Sequence, residues 1–159
     1  MDALTLLKED HDKVKKLLAQ LDQSTERATK TRTAVLEKVK RELTIHETIE
    51  EEILYPTFKE QAKLKDIVLE GYQEHHVVDL VMAELVGVSP DDEQWAAKLS
   101  VMKENIEHHI EEEEGEMFKK ARQLFDTSEL KALGVRLKAR KAELEGQSPE
   151  DLQETRDAA

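Results

Sequence analysis

The pattern that most restricts the fold of this chain is a helical stripe of apolar residues that occurs twice. Apolar residues spaced by three and four positions lie along one face of an α-helix. The first stripe consists of Leu4, Leu7, His11, Val14, Leu18 and Leu21. Shifted by 64 residues, it continues as Val68, Gly71, His75, Val78, Met82 and Leu85. The repeat predicts amphipathic helices that bury one face, with a histidine within each buried face.

A second stripe repeats in the same way and carries a histidine and a glutamate. It contains His46 and, four residues later, Glu50; shifted by 63 residues it contains His109 and Glu113. Residues four apart share a helix face, so each pair directs one imidazole and one carboxylate into the core. The chain therefore looks like two copies of one helical hairpin, each with a lone histidine and a His-x-x-x-Glu pair.

In the second copy each of these histidines has a histidine neighbour, so the inward residue has to be chosen. Placing His76 or His108 inward would put polar residues on the buried face, among them Asp79. We therefore predict that His75 and His109 face the core. Their neighbours are expected at the surface or behind the inward residues.

The helical periodicity covers most of the chain. It predicts four long helices at about residues 3–23, 31–61, 64–87 and 91–124, and a shorter fifth at 127–145. Charged residues make up 38% of the chain and aromatic residues only 4%, a balance typical of long amphipathic helices rather than strands. We expect an all-α protein with a helical bundle over residues 1–125, an accessory C-terminal helix over 126–145 and a flexible tail over 146–159.

Prolines and glycines indicate where helices are interrupted. After Gly87, the order Ser89, Pro90 and two acids is typical of a capped helix start, so the fourth helix is predicted to begin near Pro90. Pro56 lies within the second segment and lacks a backbone N–H, so a kink or break is expected there. Gly71 occupies a stripe position, where it either leaves room for a small ligand or, more commonly, allows close packing.

Charge and composition exclude several classes of function. A formal net charge of −12 argues against nucleic acids and anionic membranes as partners. There is no cysteine, so any metal must be bound by His, Asp or Glu. The N-terminus lacks the features of a signal peptide, and nowhere do about 18 apolar residues run together. We expect a cytoplasmic protein that binds neither nucleic acid nor membrane.

Six polar side chains are thus predicted in one buried layer: His11, His46, Glu50, His75, His109 and Glu113. A single histidine in a helix stripe is more often an ordinary core residue, but six polar residues at matching positions of a repeat favour a metal site. Each would be destabilising by about several kcal/mol if buried without a partner, and a shared cation is the simplest compensation. Four imidazoles and two carboxylates are too many for one tetrahedral zinc. They suit two six-coordinate ions, of iron or manganese, bridged by carboxylate.

These residues resemble the hemerythrin-like, or HHE cation-binding, family. The resemblance covers about residues 3–120, through His11, the segment 46–56, the Glu74-His75 pair and the segment 109–118. It implies an antiparallel, up-and-down four-helix bundle with short loops. It also implies two non-haem iron ions with an oxo or hydroxo bridge, and makes Glu50 and Glu113 the bridging carboxylates.

One position departs from the family pattern. Classical hemerythrins carry His-x-x-x-His on the third helix, whereas here His75 is followed four residues later by Asp79. Asp79 could bind iron instead, Glu47 or Glu114 could supply an additional oxygen, or the position could be open to water and substrate. The missing fifth histidine argues against a simple respiratory O2 carrier.

Three functions are consistent with this pattern. The first is binding of O2, peroxide or nitric oxide by the di-iron pair, for storage, sensing or stress protection. The second is a catalase-like or peroxide-reducing enzyme, favoured by the open position and the absence of oxidisable cysteines. The third is iron storage or a structural metal bundle. The sequence does not indicate a protein partner, and the fifth helix is expected to pack on the bundle rather than bind one.

Overall fold

A computed structural model describes the whole chain, residues 1–159, as helices joined by short connections, without strands. The all-α prediction is confirmed. We number six helices: α1 Ala3–Asp22; α2 Thr29–Ile49, continued by a π-helical turn Glu50–Leu54 and by Tyr55–Lys59; α3 Ala62–Val86; α4 Glu93–Glu112, continued by a π-helical turn Glu113–Met117 and by Phe118–Leu124; α5 Thr127–Glu145; and α6 Pro149–Asp157. None of these helices is both long enough and apolar enough to cross a membrane.

Helices α1 to α4 form the predicted bundle, and short connections make consecutive helices neighbours that run in opposite directions. The apolar stripes meet in two separate cores of 20 and 15 buried residues. Along α1, Leu4 and Leu7 belong to the first core and Val14 and Leu18 to the second, with His11 between them. A polar layer therefore crosses the bundle between two apolar cores.

The start of α4 differs from the prediction. The helix begins at Glu93 rather than near Pro90, because the carboxylate of Asp92 accepts the backbone N–H of Gln94 at 2.8 Å and caps the helix. Ser89 does not cap α4; its hydroxyl donates to Asp91 within the preceding turn. Asp92, expected as an acid of the first turn, is the cap instead.

The helix continues through Pro56 without a break. Instead, the π-helical turn Glu50–Leu54 lies immediately before it, and Pro56 occupies the first turn of the α-helical stretch that follows. Because proline has no backbone N–H, this position donates no hydrogen bond to the preceding turn. The second π-helical turn lies at matching positions, Glu113–Met117, with no proline nearby, so proline is not the shared cause of the two turns.

The C-terminal region contains more structure than the sequence predicts. The accessory helix α5 is present and begins with a capping box formed by Asp126 and Glu129. Residues 146–159, predicted as a flexible tail, contain helix α6, capped by Ser148. Leu152 of α6 is buried and Arg156 forms ion pairs with the bundle, which the low apolar content of this segment did not reveal.

Close packing of α5 on the N-terminus provides a test of this arrangement. A Cβ at Gly134 would lie 2.6 Å from the Met1 carbonyl oxygen and 2.9 Å from the Ala3 nitrogen, both backbone atoms. Overpacking of this kind is destabilising by about 1–3 kcal/mol, more than the gain of about 1 kcal/mol in helix propensity. We expect Gly134→Ala to lower the melting temperature measured by circular dichroism.

Gly115→Ala is the matched control. A Cβ at Gly115 would meet no atom within 4 Å. This variant should be as stable as the original chain or slightly more stable. Equal melting temperatures for the two variants would contradict the packing of the N-terminus against α5.

Candidate metal centre

The structure brings the six predicted polar residues together in the layer between the two cores. His11 lies on α1, His75 on α3, and the His-x-x-x-Glu pairs lie on α2 and α4. The six residues are between 0% and 7% exposed: His11, His46, Glu50, His75, His109 and Glu113. The neighbours His76 and His108 are exposed, whereas His75 and His109 are the buried members of the two adjacent pairs.

Both glutamates stand at the first residue of a π-helical turn. The backbone N–H of Tyr55 bonds to the carbonyl of Glu50, and that of Phe118 to the carbonyl of Glu113, each across five residues instead of four. The residue five positions on therefore stands roughly where residue i+4 stands in an α-helix. Single π-helical turns inside α-helices are frequent at functional sites, and here they bring Tyr55 and Phe118 towards the layer.

The ligand-type atoms form two groups that share both glutamates. The first group contains His11 and His46, whose Nε2 atoms are 3.1 Å apart, and the second contains His75 and His109, whose Nε2 atoms are 3.2 Å apart. We call these the first and second histidine pairs. Within each group, including the oxygens of both glutamates, the atoms lie within 4.8 Å of one another.

Glu50 reaches both histidine pairs with different oxygens. Its Oε1 lies 2.7 Å from Nε2 of His46, and its Oε2 lies 3.0 Å from Nε2 of His75. Glu113 does the same, with Oε1 at 3.1 Å from Nε2 of His11 and Oε2 at 3.0 Å from Nε2 of His109. A carboxylate that offers one oxygen to each of two groups has the arrangement of a bridging ligand.

The outward nitrogen of every histidine meets a carboxylate. The Nδ1–carboxylate distances are 2.6 Å for His11 and Glu114, 3.2 Å for His46 and Asp10, 2.7 Å for His75 and Glu51, and 2.8 Å for His109 and Glu74. A carboxylate at Nδ1 holds the proton on that nitrogen and leaves the Nε2 lone pair free. In the neutral imidazoles all four Nε2 lone pairs therefore point into the layer, where a metal ion or a proton can occupy them.

This donor set fits metal ions better than it fits a hydrogen-bonded core. Both oxygens of Glu50 and Oε1 of Glu113 are fully buried and accept no hydrogen bond, although imidazole nitrogens lie close to them. Two Nε2 lone pairs that face each other at about 3 Å repel each other without a cation between them. A cation in each group would compensate both the lone pairs and the two buried carboxylates.

Comparison with known proteins agrees with this geometry. The family model described as Hemerythrin HHE cation binding domain matches residues 2–121. The chain belongs to this family. A crystal structure of a Hemerythrin HHE cation binding domain-containing protein from Mycobacterium kansasii has the same fold, with a TM-score of 0.80 and 25% sequence identity, covering 92% of this chain and 88% of that one. A search of curated proteins finds no match.

This HHE chain does not fill the position of the classical fifth histidine. Asp79 belongs to neither ligand group; its side chain is 40% exposed and its Oδ2 accepts from Nε of Arg156 at 3.0 Å. Glu114 lies on the outer side of His11, and Glu47 is buried beside the layer without joining a group. None of these three carboxyl groups joins a ligand group in this arrangement.

Tyr55 is a residue of the centre that the sequence did not single out. Its hydroxyl donates to Oε2 of Glu113 at 2.6 Å and lies 3.4 Å from Nε2 of His75. Gly71 leaves the room for it, because a Cβ there would lie 2.8 Å from the Tyr55 oxygen; the space is taken by the tyrosine, not by a ligand. The repeat offered a signal, since the matching residue is Phe118, which stacks on His11.

A small cavity of about 20 Å³ adjoins the layer on the side away from Tyr55. All four histidines contribute to its wall. The remaining lining residues are Val14, Leu43, Glu47, Val78, Ile106 and Ile110. The space is enough for about one water-sized molecule, and its walls other than the layer and Glu47 are apolar.

Without a metal ion, the charges of the buried histidines and glutamates shift one another's pKa values. Burial alone would lower the pKa of His46, but the charges of Glu50 and Asp10 raise that pKa well above its usual range. His109 behaves in the same way, with Glu113 as the main cause of its raised pKa. Burial would raise the pKa of Glu50, but the charge of His46 holds it well below its usual range. Without metal, protons on the imidazoles balance the carboxylates.

The choice between neighbouring histidines can be tested by metal content. We expect His75→Gln to retain at most one metal ion per chain, because it removes a buried nitrogen from the second histidine pair. His76→Gln is the matched control and should keep the original content, since its side chain is exposed. Elemental analysis after metal loading measures both. An equal loss in the two variants would contradict the assignment.

The raised histidine pKa values predict opposite pH trends with and without metal. A histidine with a raised folded-state pKa contributes stability that is complete below its unfolded pKa of about 6.5 and is lost as pH rises through the folded pKa. We expect the melting temperature of the metal-free protein to fall as pH rises above about 6.5. Metal replaces these protons, so the stabilisation by metal should grow over the same range. Calorimetry with and without a chelator tests this; a metal-free protein that gains stability would contradict it.

Proposed function

We propose that this protein binds a pair of iron ions in the layer and uses them to bind O2 or a related small species such as peroxide or nitric oxide. The role would be storage, sensing or stress protection. Imidazole nitrogens and carboxylate oxygens suit iron, and two shared glutamates suit a pair of ions rather than one. The ligands in this proposal are His11, His46, Glu50, His75, His109 and Glu113.

The cavity beside the histidines is the observation that supports this function most directly. It touches all four histidines, yet its volume of about 20 Å³ admits only a molecule the size of water, O2 or peroxide. Val14, Leu43, Val78 and Ile106 line it with buried apolar side chains that exclude bulk water. The cavity therefore selects for small ligands by size and polarity.

A ferrous pair would supply two electrons to a bound oxidant, and the protein's own residues control the surroundings. The outer carboxylates hold each imidazole with Nε2 inward. Tyr55 holds its hydroxyl proton against Oε2 of Glu113 at 2.6 Å. Apart from the four histidines, Glu47 is the one polar residue in the cavity wall, and the others are apolar. An incoming ligand therefore meets little competing solvent.

Peroxide turnover is a second candidate. Asp79, which stands in place of the fifth histidine, pairs with Arg156 and joins neither ligand group. An additional open position favours turnover over reversible binding, because substrate and product can exchange at the metal. Oxygen release from added peroxide, beyond that caused by free iron, would support this candidate.

The deciding experiment is iron loading of the reduced protein without air, followed by exposure to O2. We expect about two irons per chain and charge-transfer bands that grow on exposure and disappear under vacuum. Irreversible oxidation together with peroxide breakdown would favour the second candidate, and many more than two irons would indicate storage. A protein that takes up no iron, or shows no optical response to O2 or peroxide, would overturn the proposal.

Val78→Phe tests whether the cavity is the ligand site. Val78 is buried in the cavity wall, whereas the adjacent Val77 is 41% exposed and accepts the same ring at the surface. We expect Val78→Phe to keep its iron and lose most of its optical response, while Val77→Phe retains both. Thermal unfolding verifies that both variants fold. A full response from iron-loaded Val78→Phe would place the ligand elsewhere.

A further inference from the structure

An arginine from the last helix lies behind one of the outer carboxylates. Arg156 on α6 donates from Nη2 to Oε2 of Glu51 at 2.6 Å, and the same oxygen lies 2.7 Å from Nδ1 of His75. The side chain of Arg156 is only 10% exposed. A charge in this position acts on His75 through a single carboxylate and with little screening by water.

A lysine from α5 occupies the corresponding position in the other group. Lys141 forms an ion pair with Oδ1 of Asp10, and Oδ2 of Asp10 lies 3.2 Å from Nδ1 of His46. Asp10 is 5% exposed, so this ion pair is largely shielded from water. One histidine of each pair is therefore backed by a carboxylate and then by a cation.

The other two outer carboxylates are not directly paired with a cation. Glu114 and Glu74 form no salt bridge with a lysine or an arginine, although they hold His11 and His109 in the same way. Both cations come from α5 and α6, which lie beyond the residues 2–121 matched by the family. The C-terminal helices thus contact the centre through two defined ion pairs.

Asp79 contributes to the position of Arg156. Nη2 of Arg156 lies near three carboxyl groups, with Oδ2 of Asp79 at 3.0 Å and Oε2 of Glu47 at 3.3 Å, in addition to Glu51. The residue that stands in place of the fifth histidine therefore anchors the arginine that backs His75. Where classical members have a further histidine ligand, this chain has an aspartate that binds Arg156 of α6, and Arg156 in turn contacts Glu51 behind His75.

We propose that Lys141 and Arg156 are positioning residues that raise the redox potential of the metal pair by acting through Asp10 and Glu51 on His46 and His75. This inference rests on the proposed iron centre. A carboxylate at Nδ1 makes an imidazole a stronger donor, and a cation on that carboxylate withdraws part of the effect. The cations therefore favour the ferrous state, which carries less positive charge.

Arg140 provides a matched control for a merely structural salt bridge. It also extends from α5 to α2, with Nε at 2.7 Å from Oε2 and Nη2 at 3.1 Å from Oε1 of Glu52. Glu52 contacts no histidine of the layer. Removing this ion pair takes away a cation of the same helix without interrupting a path to the centre.

The experiment compares iron-loaded Arg156→Gln, Lys141→Gln and Arg140→Gln by spectroelectrochemical titration. We expect each of the first two to increase the ferric-to-ferrous affinity ratio by up to about tenfold, which lowers the potential by up to about 59 mV for a one-electron couple. Arg140→Gln should leave the potential unchanged, and Arg156→Lys should restore most of it. An unchanged potential in Arg156→Gln, or an equal shift in Arg140→Gln, would overturn the inference.

A second measurement, on metal-free protein, tests this inference independently of the proposed iron binding. In nitrogen NMR of the histidine rings, Arg156→Gln should shift Nδ1 of His75 and Lys141→Gln should shift Nδ1 of His46, each leaving the other ring unchanged. If the original chain takes up no iron, the proposed function fails, while these shifts still decide whether the cations act on the histidines. Equal ring shifts in all four histidines would indicate a general change in the structure of the layer. They would contradict the inference that each cation acts on one histidine through one carboxylate.

Discussion

The burial of two carboxylates, Glu50 and Glu113, is the constraint on which the rest of this structure depends. Both are at most 1% exposed, and an uncompensated buried charge is destabilising by about several kcal/mol. Four imidazoles surround them, a second set of carboxylates orients the imidazoles, and two cations from the C-terminal helices balance part of that second set. Apolar cores on both sides keep the layer dry. The imidazoles thus compensate the buried glutamates, the outer carboxylates accept from the imidazoles, and the cations pair with two of the outer carboxylates.

The repeat in the chain is preserved in this layer but not in its surroundings. His11 and His75 take their outer carboxylates from the opposite hairpin, whereas His46 and His109 take theirs from the same one. The equivalence ends at Tyr55 and the matching Phe118. The second histidine pair has the Tyr55 hydroxyl nearby, whereas the first has the ring of Phe118. The surroundings of the two ligand groups are therefore chemically different, although their nearest donors match.

The layer could be predicted because helical periodicity is local: the buried face follows from spacing within one helix, and the repeat resolved the choice between neighbouring histidines such as His75 and His76. The fold class followed from the same pattern. Features that depend on contacts between distant segments could not be predicted in this way. Arg156 reaches Glu51 across 105 residues, and its helix has too few apolar residues to be recognised as packed. The π-helical turns, and with them the position of Tyr55, depend on how four helices fit together rather than on any residue pattern.

The sharing of the two glutamates has a consequence for how the centre fills. Neither hairpin contains all the donors of one position, because Glu113 serves His11 from the second hairpin and Glu50 serves His75 from the first. An ion in one group immobilises both carboxylates and so orders donors that the other group needs, which couples the two binding events. The second ion then binds to a site already half assembled. In the proposed di-iron centre, this ordering favours the fully loaded state over a half-filled one more than it would if the two groups shared no ligand.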